Sequence, residues 1–144
     1  MTLSSLHTTS RPQPVATAET RPFWEGAAEG KLVLRRCCAC GRLAAPLAPR
    51  CVECLGDSFE LATLSGRAAL DGRTKLHLRP LPDHEGPLVI VECALAEDPR
   101  IVLIALDQNG CTEMAAPGTP LQLHFPPTEG DTRFAVVQST EAHP

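Results

Sequence analysis

The chain has 144 residues, 43% of them hydrophobic and 21% charged, with a net charge of −4. That length allows one ordinary core and a small satellite, and the balance excludes a disordered chain. No apolar run reaches the length of a bilayer span, so no membrane partner is expected.

The first 18 residues, rich in Ser, Thr and Pro, have neither the basic start nor the apolar stretch of a secretory signal. They read as a disordered lead or one that orders on a partner, and a cytoplasmic protein is expected. "ETRPFWEGAAEGK" then predicts a short helix, with Thr20 as cap, Pro22 in the first turn, and Gly30 and Lys31 at its end. "KLVLRR" is a strand leading into the cysteines, and "FELATLS" a strand leaving them. Further strands are expected at "RAALDGRTKLHL", "PLVIVECALA", "RIVLIALD", "PLQLHF" and "RFAVVQS". Pro80, Pro82, Glu97-Asp98-Pro99, Asn109-Gly110 and Pro117-Gly118 separate them. "AEDPR" has the length of a hairpin. The expected class is mainly β: an N-terminal helix and metal knuckle over 19–62, then a five-stranded OB-fold β-barrel over 63–138, with a tail over 139–144.

Seven cysteines is an odd count, and clustering in a reducing compartment favours metal over disulfides. Cys37-x-x-Cys40 and Cys51-x-x-Cys54 are separated by ten residues. Four Zn–S bonds of about 2.3 Å place the sulfurs roughly 3.8 Å apart, and two intervening residues let both thiolates of a knuckle reach one ion. Gly41 permits the positive φ such a turn needs. Cys38 breaks the spacing and is taken as a spare thiol. In the second knuckle the glycine comes one position later, at Gly56, so the turn there is expected to be shifted or strained. Four sulfur ligands leave no open position, which points to structural zinc; iron with the same ligands is the lesser alternative. The segment has too few large apolar residues for its own core, so the metal is expected to fold it.

No GxSxG, HExxH, Walker loop or GxGxxG occurs, and no catalytic residue is assigned. Cys93 lies mid-strand and reads as an inert buried thiol, Cys111 as an exposed one. His77 and His124 read as surface residues; His84 is the histidine in a plausible functional loop. From Thr63 onward six Lys or Arg face eleven Asp or Glu. Phe125 and Phe134 are the only aromatics there, too few over that charge for single-strand nucleic-acid binding. Residues 31–50 by contrast hold five basic residues and no acid.

Phe23 to Gly26, Cys37, Cys40 to Arg42, Pro46, Pro49, Cys51, Cys54 and Ser65 to Arg67 occur in an order that resembles a known family. Its members join a rubredoxin-like zinc ribbon to an acyl-CoA-associated OB-fold, and the likeness covers about residues 21 to 135. The resemblance implies an accessory subunit, not catalytic alone, in a complex with a thiolase-like or ketoacyl-synthase-like enzyme that supplies the nucleophile. Such subunits brace the assembly and the acyl-CoA tunnel; some relatives accompany acyl-CoA hydratases instead. A free-standing acyl-CoA-binding module is the other alternative. Phe23 and Trp24 could anchor that partner or cover the barrel end. Lys31, Arg35, Arg36, Arg42 and Arg67 are the expected contacts to an acidic partner surface or to acyl-CoA. The chain departs from the family after Ser-Gly-Arg, where "AALDGRTKLHL" holds no aromatic residue.

Overall fold

The computed structural model describes residues 12–77, 86–128 and 130–140. His84, Pro80, Pro82, most of the lead and residues 141–144 lie outside the described residues. In chain order the elements are α1 (Arg21–Ala28), β1 (Leu32–Cys37), β2 (Leu43–Ala44), β3 (Phe59–Leu64) and β4 (Arg67–Leu76). After these come β5 (Leu88–Leu95), β6 (Val102–Leu106), β7 (Pro120–His124) and β8 (Val136–Ser139).

The helix is shorter than its sequence suggests. Thr20 stands at its N-cap but makes no side-chain cap bond. Its hydroxyl instead accepts from the Thr17 N–H at 2.8 Å, turning the lead into the helix. At the other end Lys31 N–H donates to Gly26 O and Gly30 N–H to Ala27 O, with Gly30 at φ +76°. This is a Schellman close, and glycine supplies the left-handed residue it requires. Gly26 itself cannot be larger, because a Cβ there would lie 2.5 Å from Val33 Cγ2.

Phe23 and Trp24 both turn toward the barrel. Phe23 packs edge-on against Trp24 at 5.0 Å and Phe125 at 5.9 Å, and Trp24 against Phe134 at 5.8 Å. Four rings thus seal one barrel end, in the offset geometry that aromatic quadrupoles favour. Both side chains remain half-buried.

A three-stranded sheet ordered β2-β1-β3 carries the cysteine region. β2 is two residues long and exists only through pairing of Ala44 with Arg35 and Leu43 with Arg36. β3 then passes through Ser65-Gly66 into β4. Gly66 has φ +80°, and a Cβ on it would lie 2.6 Å from Gln122 Nε2 and 2.8 Å from Leu123 O. The Ser-Gly-Arg signature therefore has a backbone cause: only glycine turns this corner against β7. Ser65 N–H donates to Glu97 Oε2 at 2.8 Å, and Gln122 Nε2 donates to Ser65 O at 2.9 Å. The corner is pinned by a residue just past the end of β5 and by the middle of β7.

The second sheet closes into a barrel in the order β4-β5-β6-β8-β7. β4 pairs along its length with β5 and through Arg67–Ala69 with β7. It bends at a register shift between Leu70 and Gly72, the usual device by which one strand serves two neighbours in a barrel. β8 meets β6 in parallel and β7 antiparallel. This is the OB-fold arrangement expected from the sequence. Alternation points Ala68, Leu70, Val91, Cys93, Leu95, Leu103, Ala105, Leu121, Leu123 and Val137 inward. Leu32, Leu34, Leu43 and Leu64 from the first sheet belong to the same core cluster. The cysteine region therefore has no core of its own, as its composition implies, and roots itself in the barrel's.

Candidate metal centre and predicted contact residues

Both cysteine knuckles have the same backbone wiring. In the first, Gly41 N–H donates to Cys37 O and Cys37 N–H to Arg42 O, each at 2.9 Å. In the second, Leu55 N–H donates to Cys51 O at 2.9 Å and Cys51 N–H to Gly56 O at 2.8 Å. Two loops of different sequence thus reproduce one turn. The residue after the second cysteine takes a left-handed conformation in both: Gly41 at φ +80° and Leu55 at φ 63°. The expected shift of the second turn to Gly56 does not occur. Leu55 carries the left-handed position itself, so the strain alternative holds. Gly56 has a separate task, since a Cβ there would lie 3.3 Å from Cys54 Sγ and 3.6 Å from Cys37 Sγ.

The four sulfurs of Cys37, Cys40, Cys51 and Cys54 all lie within 4.8 Å of one another. Cys37 and Cys54 sulfurs are 3.5 Å apart, and those of Cys40 and Cys51 3.4 Å. These two separations are a few tenths of an ångström under the roughly 3.8 Å edge of a tetrahedral four-sulfur site. Backbone N–H groups converge on the sulfurs as a thiolate needs. Those of Cys40 and Ala39 hold the Cys37 thiol below its usual range. Those of Cys54 and Glu53 bring Cys51 down to about 6. Cys40 receives the Arg42 N–H, but the Cys51 thiol and burial outweigh it and push it up to about 12. Cys54 receives the Gly56 N–H and is likewise raised, by Cys37 and burial. The converging N–H groups favour thiolates at Cys37 and Cys51, the form in which these sulfurs would ligate a cation. The residues fit a metal ion. Cys38 is exposed and outside the cluster.

Most of the predicted basic contacts are engaged within the chain. Arg35 donates to Ala48 O and lies over the Phe59 ring at 4.6 Å. Arg36 donates to Gly41 O at 3.0 Å, bracing the first knuckle. Arg42 pairs with Glu53, joining the two knuckles. Lys31 stands 3.9 Å from Glu29, both exposed. Arg67 lies at the Ser-Gly-Arg corner and is exposed.

Two charged constructions lie outside the residues singled out from the sequence. Asp98, buried in the β5–β6 hairpin, chelates its neighbour Arg100 through both carboxylate oxygens, each at 2.9 Å. The Arg100 guanidinium holds its carboxyl below the usual range. The Asp107 carboxylate, also buried, accepts from the N–H groups of Gly110, Cys111 and Thr112 and from the Thr112 hydroxyl. Arg73 closes the group by donating to Thr112 Oγ1 at 3.0 Å. Spacing alone gave a signal for each, an acid two residues before Arg100 and an acid two before an Asn-Gly turn.

Of the remaining thiols, Cys93 is fully buried, and burial pushes it up to about 12. Cys111 is half-buried rather than exposed: its turn folds back so that the thiol reaches toward Val137 O at 3.8 Å. His77 is exposed and His124 half-buried. Among the described residues no helix is long and apolar enough to cross a membrane.

No protein-family model matches the chain. Over 92 residues it is 29% identical to a "Probable enoyl-CoA hydratase alpha subunit" of Thermomonospora curvata. The match takes in 64% of this chain and 29% of that protein, so the chain spans under a third of the relative's length. A chain of the solved Ltp2-ChsH2(DUF35) aldolase matches with a TM-score of 0.79 at 22% identity. It covers 90% of this chain and 100% of that one. The two share one fold. The architecture expected from the resemblance, a cysteine ribbon followed by an OB-type barrel, is present here.

Proposed function

We propose that this chain is a non-catalytic, zinc-holding subunit of a thiolase-superfamily acyl-CoA-processing complex, and a member of the ribbon-and-OB-fold family it resembles. The observation that carries the reading is the match, end to end, to a chain from a DUF35-containing aldolase, combined with a four-sulfur cluster. A site whose four positions are all sulfur has no place for substrate, so its contribution is to the fold. The ion we assign is Zn2+, with the thiolase-like partner supplying the reacting groups and the acyl-CoA site lying where the two meet. In this reading the chain works in the cytoplasm, a reducing compartment where clustered cysteines hold metal rather than pair.

The hydratase relative favours a second reading, in which the partner carries a hydratase fold. Isolation of the tagged protein from its own cells, with mass spectrometry of what stays bound and metal analysis of the product, separates the two. A thiolase-fold protein in near-equal amount with one zinc per chain is the expected result. A hydratase-fold protein would favour the second reading. A lone, monodisperse chain would remove both and leave the free-standing acyl-CoA-binding module.

A further inference from the structure

The backbone of β6 is fully paired on one side only. Leu95 N–H donates to Ile101 O and Asp107 N–H to Val89 O, and the antiparallel register with β5 runs unbroken between them. Odd-numbered residues of β6 therefore turn their N–H and C=O groups to β5, and even-numbered ones turn theirs away. Leu106 meets β8 on that far side: its N–H donates to Ala135 O, and it pairs with Val136. Val102 and Ile104 meet nothing there. Among the described residues no backbone group bonds theirs on that side.

The side chains of Val102 and Ile104 are β-branched, apolar and exposed, at 40% and 59%. An open edge carrying such side chains is a template for another strand, and folded proteins cover it or charge it. Phe134, two residues before β8, packs on Trp24 at 5.8 Å, so the segment leading into β8 runs apart from this edge. Beside Ile104 lies a groove of about 270 Å³ that also touches Trp24, Ile90, Phe134 and Ala135. No charged residue lines it.

The residues before Pro12, which lie outside the described ones, have the length and composition to cover it. Gln13 lies against Gly130, where a Cβ would come 3.0 Å from Gln13 Oε1. Gly130 is four residues from Phe134 on the groove wall, at most about 14 Å along the chain. The eleven residues before Pro12 span up to about 36 Å when extended, more than twice that distance. Their sequence, "MTLSSLHTTSR", has no Pro or Gly to interrupt a strand. It carries Leu3 and Leu6, and no acid for Glu92, exposed opposite Ile104 on β5, to repel. A segment tethered beside the groove also outcompetes a separate chain by effective concentration. We propose that residues 1–11 add a strand to the open edge of β6 at Val102–Ile104, with one leucine seated in the groove beside Trp24. Side chains alternate along a strand, so Leu3 and Leu6 fall on opposite faces and only one enters the groove. The lead is then a cover carried by the chain itself, over an edge that otherwise invites strand addition by another chain.

The test is residue-resolved hydrogen exchange by NMR on the metal-loaded full-length chain and on a chain lacking residues 2–11. The Val102 and Ile104 amides face the open edge, while those of Leu103 and Ala105 face β5 and serve as controls. Val102 and Ile104 are expected to exchange about tenfold more slowly in the full-length chain, the effect of a cover closed roughly nine-tenths of the time. The controls should exchange equally in both. A synthetic peptide of residues 1–11, added in excess to the shortened chain, should restore the protection and shift the indole N–H of Trp24, the chain's single tryptophan. The full-length double variant Leu3→Asp, Leu6→Asp should lose the protection with no shortening. Equal exchange at Val102 and Ile104 in the full-length and shortened chains would overturn the proposal. So would protection that grows with chain concentration, which would place a second copy on the edge. Loss at Leu103 and Ala105 in the shortened chain would overturn it too, making the lead a general support of the barrel.

Discussion

From Cys37 to Ser58 the buried side chains are Cys37, Leu43, Ala44 and Cys51, while Leu47, Val52 and Leu55 stand in solvent. The barrel inverts this, closing over Val91, Cys93, Leu95, Leu121 and Val137, none more than 1% exposed. One region is built on backbone N–H groups and four sulfurs placed to bind a metal ion; the other is held by apolar area removed from water. The difference predicts that they fail separately and for different reasons, and that the shared residues Leu32, Leu34, Leu43 and Leu64 mark where one mode passes into the other.

Metal removal should produce the largest effect. Structural zinc contributes about 10–16 kcal/mol in small peptides, far more than burial can supply here. Cys51→Ser, or a strong chelator, should abolish amide protection at Gly41, Cys51 and Leu55, whose hydrogen bonds exist only within the knuckles. Protection at Leu95 and Leu123 should persist. Hydrogen exchange with mass or NMR detection reads this directly. Simultaneous loss in both regions would show a single cooperative unit and break the comparison.

The converse lies in the barrel. Leu95→Ala removes a fully buried side chain and should cost about 2–5 kcal/mol. Leu47→Ala, at a site 73% exposed, should stay within roughly 0.5 kcal/mol. Denaturant unfolding monitored at Trp24 distinguishes them, because that ring caps the barrel end. A large effect at Leu47 would mean that the ribbon's exposed apolar residues are covered in the isolated chain.

The Asp107 group makes the comparison pH-dependent. Burial alone would raise its carboxyl, but the Thr112 hydroxyl and the N–H groups of Thr112, Cys111 and Gly110 outweigh that and hold it below its usual range. A carboxylate with a depressed folded pKa stabilises fully above its unfolded value near 3.9, and that contribution is lost as pH falls through the folded value. Asp107→Asn leaves donors facing an amide and should cost about 1–3 kcal/mol at neutral pH. It should also flatten the acid limb of the stability profile below about pH 4. An unchanged acid limb in thermal melts would assign that limb to other carboxylates, Asp98 first.

The barrel was legible because alternation along a strand is a local property that sequence displays, and five such runs between turn signals admit few closures. The cysteine cluster was legible for a similar reason: its geometry is written in spacing. What stayed hidden depends on distant partners. Glu97 lies 32 residues from Ser65, and Gln122 lies 57; no local pattern announces either. β2 escaped because two residues have no period and become a strand only beside β1. The roles of Phe23 and Trp24 remained open for the same reason: an apolar helix face does not say which surface covers it. Their barrel-side contacts, Phe125 and Phe134, lie 102 and 110 residues further on.

Leu55 shows the limit from the other side, where a local rule misled. Glycine at 56 suggested a displaced turn, because glycine is the usual bearer of positive φ. The structure gives that conformation to leucine and reserves glycine for the contact with two sulfurs. A non-glycine residue held in the left-handed region costs on the order of 1 kcal/mol. At 68% exposed, the Leu55 side chain recovers little by burial. Leu55→Gly should therefore stabilise the metal-loaded ribbon by about 1 kcal/mol, an effect small beside the others but opposite in sign. It should slow metal release to a chelator while leaving barrel unfolding unchanged. Faster release would mean that the exposed leucine is held by something other than its own chain. In a subunit whose ribbon faces a partner, that would locate one of the contacts for which the strain is kept.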